Sequence, residues 1–229
     1  MKKVFIVANW KSNKTVSEAN DWLRGFTNYD LRFTNKEIII CPSFTLLPIL
    51  KSYILNHKSY FRVGAQDISQ FSEGAYTGAI NGKQIKEFAD YVIIGHSERR
   101  NNFGEDEKII NKKISLAQKY NLIPILCISN IKQIHDSRFN PSADGHNSNF
   151  IVAYEPIFAI GTGTPDTPEN ADKMAKNIKE ILGEIPVLYG GSVSKFNIKS
   201  FTNTAYIDGA LVGKASLDVK EFTTIIQNA

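Results

Sequence analysis

Only two cysteines, Cys41 and Cys127, occur in 229 residues, each inside an apolar run and far from the other. That usage fits buried thiols in a reducing compartment better than a disulfide. No apolar run is long enough to span a membrane. Met1-Lys2-Lys3 leads only into Val4 to Ala8, which is too short for a signal-peptide core and is followed at once by Asn9 and Lys11. Long runs of one charge are also missing: 27 basic and 23 acidic residues are interspersed to a net +4, so no nucleic-acid footprint is present, although a small anion would be attracted. His57, His96, His135 and His146 show no paired metal-ligand spacing, and the acids do not cluster around them. Gly161-Thr162-Gly163 lacks the further glycine and the directly preceding strand of a dinucleotide fingerprint. The expectation is a cytoplasmic chain with no metal, cofactor, membrane or nucleic-acid partner.

What is present is ordinary globular usage, 42% hydrophobic and 22% charged, enough to bury a large core. Continuous β-branched runs recur at Val4 to Ala8, Ile38 to Ile40, Phe61 to Ala65, Val92 to Ile94, Ile123 to Ile128, Ile151 to Ala153, Val187 to Tyr189 and Ala210 to Val212. Runs that do not alternate read as strands covered on both faces, as in a parallel sheet. Helical periods lie between them. Ala171, Met174, Ala175, Ile178, Ile181 and Leu182 are expected on one face, with Thr167-Pro168-Glu169 as cap, first-turn proline and early acid. Ala19, Trp22, Leu23 and Phe26 repeat the spacing, as do Ile110, Ile114 and Ala117. Asp218 and Glu221 make a capping-box-like start before Phe222, Ile225 and Ile226.

Eight strand-helix units predict an α/β fold, a single (β/α)8 barrel of parallel strands over residues 1–229, with a doubly wound open sheet as the alternative. No linker divides the chain. Between Cys127 and Ile151 the composition is loop-like, above all Asn140 to Asn147, which predicts a shortened fifth helical unit.

In a parallel barrel the site forms where strands finish. After the first run come Asn9 and Lys11, after the third Gln66 and Asp67, after the fourth Gly95-His96-Ser97-Glu98-Arg99, and after the sixth Glu155. Gly190-Gly191-Ser192 and Gly213 follow the last two, where small residues let backbone N–H groups approach an anion. A carboxylate base, an imidazole and an ammonium on one rim suit proton removal next to a carbonyl, with the developing enediolate charge held by the other two. Each has an ordinary reading: a structural histidine, a solvated lysine, a turn at Gly190-Gly191, a helix-end charge pair at Arg99-Arg100. Their coincidence at successive strand ends favours a site. Glu155 also has its own cover. Pro156 stiffens the exit from the strand, Phe158 and Ile160 stay apolar in a loop, and Gly161 and Gly163 supply hinge freedom.

Asn9-Trp10-Lys11, Gly64-Ala65-Gln66-Asp67, Gly74-Ala75-Tyr76-Thr77-Gly78, Ile94 to Arg100, Ala153-Tyr154-Glu155-Pro156, Ala159 to Gly163, Tyr189 to Val193 and Asp208 to Gly213 together resemble the triosephosphate isomerases, a TIM-barrel family, from end to end. The resemblance implies interconversion of dihydroxyacetone phosphate and glyceraldehyde 3-phosphate without a cofactor, in glycolysis and gluconeogenesis. It implies that Glu155 shuttles the proton, that His96 is the electrophile at the oxygens, and that Lys11 and Asn9 contact the substrate. Gly161, Ser192 and Gly213 would cradle the phosphate through backbone N–H groups, Ser97 would begin a helix, and Glu98 would act as a supporting acid. A lid from Pro156 to Thr162 would keep the enediolate from expelling its phosphate. A homodimer is implied, Gln66 to Ile80 entering the neighbour with Thr77 near that neighbour's site.

Three departures stand out. Lys214 occupies the place of a second glycine after Gly213, where its N–H is still expected to reach phosphate. Phe158 replaces a lid tryptophan and Ser129-Asn130 replaces Gly-Glu, two losses expected to be linked, because an indole N–H wants an acceptor and a phenyl ring does not. The third departure is the short fifth unit. Two other functions remain at this level: a barrel acting on a larger phosphorylated substrate, and a non-catalytic phosphate-binding barrel or interaction protein.

Overall fold

The computed structural model describes residues 2–31, 33, 35–57, 59–136 and 150–229. The apolar runs form β1 (Val4–Asn9), β2 (Lys36–Cys41), β3 (Phe61–Ala65), β4 (Tyr91–Ile94), β5 (Ile123–Ile128), β6 (Ile151–Tyr154), β7 (Val187–Tyr189) and β8 (Gly209–Val212). Neighbours in sequence pair in parallel, and β1 pairs with β8, closing the barrel. The open-sheet alternative is thereby removed.

Closure explains why the runs do not alternate in polarity. One set of residues, including Phe5, Val7, Ile39, Ile93, Ile125, Ala153, Leu188 and Leu211, fills the barrel interior. Their neighbours, such as Ile6, Ala8, Ile40, Val92, Val152 and Val212, pack outward beneath the helices. Successive side chains point to opposite faces, and both faces are dry.

The outer layer consists of α1 (Val16–Thr27), α2 (Leu47–His57), α3 (Gly82–Lys86), α4 (Ser97–Phe103), α5 (Glu107–Lys119), α6 (Lys132–Asp136), α7 (Pro168–Leu182), α8 (Ile198–Thr202) and α9 (Val219–Asn228). Thr15 and Glu18 form a reciprocal capping box at the start of α1, and Thr167 caps α7 ahead of Pro168. The buried stripe of α1, Ala19, Trp22, Leu23 and Phe26, seats against Trp10 and Phe222: Trp22 stacks on Phe26 at 4.7 Å and meets Trp10 edge-on at 5.0 Å. Truncating such an aromatic to alanine costs about 3–5 kcal/mol.

One expectation needs correction. Ile181 is 41% exposed, whereas Ala171, Ala175, Ile178 and Leu182 are buried. At roughly 100° per residue it lies about 90° from the centre of that stripe. The described part of the fifth unit is α6, Lys132–Asp136, 5 residues long like α3 and α8. Asn140 to Asn147, His146 included, lies outside the described residues. Among the described residues no helix is long and apolar enough to cross a membrane.

Candidate active site

The register brings the ends of the strands onto one rim. Tyr154 and Tyr189 are paired where β6 and β7 finish, and the Gly190 N–H donates to Tyr154 O at 2.7 Å while the Glu155 N–H donates to Ile128 O at 2.8 Å. Glu155 therefore leaves its strand beside Gly190. A side chain at Gly190 would bring its Cβ within 2.8 Å of Glu155 Cγ, and one at Gly191 would overlap the Tyr189 hydroxyl. Only glycine leaves the carboxylate its path.

Asn9, Lys11, His96, Glu155, Gly161, Ser192, Gly213 and Lys214 all line one cavity of about 820 Å³. Glu155 is 1% exposed and His96 6% exposed. His96 caps α4, and its Nδ1 accepts the Glu98 backbone N–H at 3.2 Å. A backbone N–H only donates, so the imidazole proton sits on Nε2, which lies 3.1 Å from Glu155 Oε1. The other carboxylate oxygen, Oε2, accepts the Ser97 N–H at 3.1 Å.

Lys11 has a positive φ of 53° and its N–H donates to Asn9 Oδ1 at 3.1 Å. Gln66 Nε2 donates to Lys11 O and to Cys41 O, both at 2.9 Å, holding the turn from outside. The Lys11 ammonium pairs with Glu98 Oε1. Glu98 thus serves both neighbours, the lysine through its carboxylate and the histidine through its backbone. Beneath the site, burial and then the Glu155 charge hold the Cys127 thiol well above its ordinary pKa, and burial pushes the Cys41 thiol up; both cysteines are free.

Several supports had no clear signal in the sequence. Arg100 Nε donates to Gly95 O at 2.7 Å, its Nη2 donates to Cys127 O at 3.2 Å, and its Nη1 pairs with Glu107. It is a brace between β4, β5 and α5 instead of a solvated helix-end charge. Lys113, 3% exposed, bonds Asp67 and Glu105 at 2.5 Å each, and Arg99 joins both acids. Burial, with Glu105 adding to it, raises the Asp67 carboxyl despite its cationic partners. Each buried charge of this cluster has an opposite charge within reach, and removing one partner would leave another buried and uncompensated.

The segment after Glu155 forms a short 3-10 turn, Ile157–Ala159, with Ile157 and Phe158 67% and 61% exposed. Gly161 and Gly163 have φ of 69° and 80°, the left-handed region that glycine enters without strain. The Ser192 side chain holds this segment: its Oγ donates to Ala159 O at 2.7 Å and accepts the Gly163 N–H at 3.1 Å. Asn130 is occupied elsewhere, its Oδ1 accepting the Lys132 N–H at the start of α6. Thr77 is exposed on the 74–79 turn and lines no part of this cavity. A second cavity of about 920 Å³, between Gln70–Tyr76 and α5, is slightly larger but lies away from His96 and Glu155. Among the described residues no group of three His, Cys, Asp or Glu side chains converges as a metal cluster.

The sequence profile described as triosephosphate isomerase matches residues 4–229. The triosephosphate isomerase of Mesomycoplasma hyopneumoniae strain 7448 is 41% identical over 246 residues, covering 100% of both chains. That of Dehalococcoides mccartyi strain BAV1 is 39% identical over 248 residues, covering 100% of this chain and 97% of the relative. That of Trichodesmium erythraeum is 38% identical over 240 residues, covering 99% of each.

Proposed function

The chain belongs to the triosephosphate isomerase family, and from that premise we propose that Glu155, His96 and Lys11 are the groups with which it interconverts dihydroxyacetone phosphate and glyceraldehyde 3-phosphate. The enzyme is an aldose-ketose isomerase of glycolysis, and run in reverse it serves gluconeogenesis. Glu155 takes a proton from the carbon beside the carbonyl. The charge that develops on the carbonyl oxygen is met by the His96 Nε2–H and the Lys11 ammonium, giving an enediolate. The His96 Nε2–H passes to the former carbonyl oxygen, His96 takes a proton back from the neighbouring hydroxyl oxygen, and Glu155 returns its proton to the adjacent carbon. Every step is a proton transfer between protein and substrate, with no electron left over.

The observation that carries this assignment is the 3.1 Å approach of His96 Nε2 to Glu155 Oε1 inside a cavity that also holds Lys11. The base and the donor thus open onto the same small volume, where one substrate can be reached by both. Asn9 binds the substrate hydroxyl end. The backbone N–H groups of Gly161, Ser192, Gly213 and Lys214 receive the phosphate, and Ser97 and Glu98 keep the base, the imidazole donor and the ammonium in place.

Two further parts of the reading concern the assembly and its location. The chain works as a homodimer, with Thr77 and the Gln66 to Ile80 loop reaching the partner. Exposed Phe71, Tyr76 and Phe103, with Phe71 stacked on Tyr76 at 4.1 Å, support an apolar contact there. It works in the cytoplasm, among the soluble triose phosphates.

The test is coupled-assay turnover of glyceraldehyde 3-phosphate by the parent chain beside Glu155→Gln, which removes the base and keeps the shape. Turnover lost by about 10³-fold or more in the variant establishes the base. Equal turnover in both removes Glu155 from the role, and an inactive parent would return the chain to the non-catalytic reading.

A further inference from the structure

Asn197 stands at the N-cap of α8 but makes no side-chain cap bond to it. An asparagine at that position ordinarily accepts a backbone N–H two or three residues ahead. Here the Ser194 carbonyl closes the turn, accepting the Asn197 N–H at 3.3 Å and the Ile198 N–H at 3.1 Å. The Asn197 side chain turns back towards the end of β7 instead. Its Oδ1 accepts the Ser194 N–H at 2.8 Å, and its Nδ2 donates to Ser192 O at 3.0 Å. A backbone N–H only donates and a carbonyl only accepts, so these two partners fix which way round the amide sits.

The base from which Asn197 reaches is firmly seated. Ile198 and Phe201 are 0% and 1% exposed, and the Phe201 ring stacks on Tyr189, the last residue of β7, at 3.9 Å. Asn197 itself is half-buried and lines the same cavity as His96 and Glu155.

Ser192 is the residue held. Its Oγ is committed to Ala159 O and the Gly163 N–H and its carbonyl to Asn197, and among the described residues its N–H has no protein acceptor. Fixing a residue through side chain and carbonyl together keeps its remaining N–H in one direction before any anion arrives, so that order need not be imposed on binding.

We infer that Asn197 is a positioning residue for the phosphate end of the substrate: it holds the turn from Ser192 to Ser194 so that the Ser192 N–H meets the phosphate, and it has no part at the carbons where the proton moves. The inference rests on the isomerase assignment of the cavity and adds to it a side chain that acts on phosphate recognition through Ser192.

The two ends of the substrate can be tested apart. Glyceraldehyde presents the same carbonyl and the same acidic proton without the phosphate, so its turnover, followed by deuterium uptake from solvent, reads the reacting end alone. The ratio of kcat/KM for glyceraldehyde 3-phosphate to kcat/KM for glyceraldehyde isolates phosphate recognition. A variant that merely lowers the folded fraction moves both values together and leaves the ratio where it was.

The experiment measures that ratio, with the inhibition constant of inorganic phosphate, for the parent, Asn197→Ala, Asn197→Asp and Asn228→Ala. Asn197→Ala loses both bonds, and its ratio is expected to fall about tenfold, with phosphate inhibition weakened by about the same factor and glyceraldehyde turnover within about twofold of the parent. Asn197→Asp keeps the acceptor for the Ser194 N–H and sets a carboxylate oxygen against Ser192 O. Its ratio is expected to fall similarly, and to stay low at about 0.5 M salt, where a charge acts over only a few ångströms. Asn228 Nδ2 donates to Lys195 O at 2.9 Å, supporting the same turn from outside without touching Ser192, and Asn228→Ala is expected to keep the parental ratio.

A parental ratio in Asn197→Ala would overturn the inference, as would an equal fall in Asn228→Ala, which would leave Asn197 only one of several supports of the turn. If Asn197→Ala does not fold, Asn197→Asp at high salt decides, and a parental ratio there overturns the inference. A parent that does not isomerise glyceraldehyde 3-phosphate refutes the site assignment, whereas an active parent with unmoved ratios in the variants refutes this inference alone.

Discussion

His96 Nε2 lies 3.1 Å from Glu155 Oε1 because the opposite ring nitrogen is committed to the Glu98 N–H at the start of α4. The tautomer is thus decided by a helix cap, and the donor faces the base. His96→Asn keeps a capping oxygen for that N–H but withdraws the donor from the cavity. Steady-state kinetics should show kcat reduced about 10²–10³-fold. A thermal melt within a few degrees of the parent would confirm that the loss is chemical; parental kcat would take His96 out of the reaction.

Gly190→Ala tests the path of the base. The new Cβ would stand 2.8 Å from Glu155 Cγ and 3.2 Å from Tyr154 O, and neither the buried carboxylate nor the backbone has room to yield. A displacement of about 1 Å in a reacting group costs on the order of 10²-fold. The expected result is a kcat loss of that size with substrate still bound; unchanged kcat would mean that the carboxylate approaches by another route.

Lys214 lines the cavity beside Gly213, and the other lysine of that lining, Lys11, is already paired with Glu98. Its ammonium therefore adds positive charge facing a dianionic substrate. Lys214→Gly is expected to lower kcat/KM about threefold to tenfold at low salt. The gap should close at about 0.5 M salt, where screening acts within a few ångströms. A ratio independent of ionic strength would show that the side chain turns away from the phosphate.

Alkaline pH should unfold the chain through its buried thiols and phenols. Cys41 and Cys127 are raised above the ordinary 9.0, Tyr154 is raised above 10.0, and Tyr189 is pushed up to about 12, in each case first by burial. All four keep their protons in the folded state at pH values where the unfolded chain has lost them. The stability they contribute is fully present below the unfolded values and is lost as pH rises through the folded ones. Urea midpoints should hold steady up to about pH 8.5 and fall progressively from about pH 9 to 12. Cys41→Ala should start from a lower midpoint and fall less steeply; an identical slope would acquit the thiol.

Much of the barrel was readable in the chain because of how its strands are covered. Val4 to Ala8 and Ile123 to Ile128 are continuous apolar runs since one alternate set of side chains fills the barrel and the other faces the helices. The rim was readable for a related reason: Asn9, the last residue of β1, and His96 and Glu155, just past β4 and β6, are polar where buried strands finish. What escaped was governed by partners distant in sequence. Nothing near Arg100 announces Cys127 O, nothing near Lys113 announces Asp67, and a helical period counted Ile181 as core although it lies at the edge of the stripe.

Residue types in order along the chain were enough to specify eight covered strands, capped helices between them and the groups able to move a proton. Those are local properties, set by side-chain polarity, backbone preference and the period of each element. The 3.1 Å contact between His96 and Glu155, the overlap that reserves Gly190 and Gly191 for glycine, and the hydrogen bond from the Asp166 N–H to the Tyr189 hydroxyl arise from closure of the barrel. Closure sets the distance between strand ends, and a pattern of apolar and polar residues carries no information about distances between elements far apart in the chain.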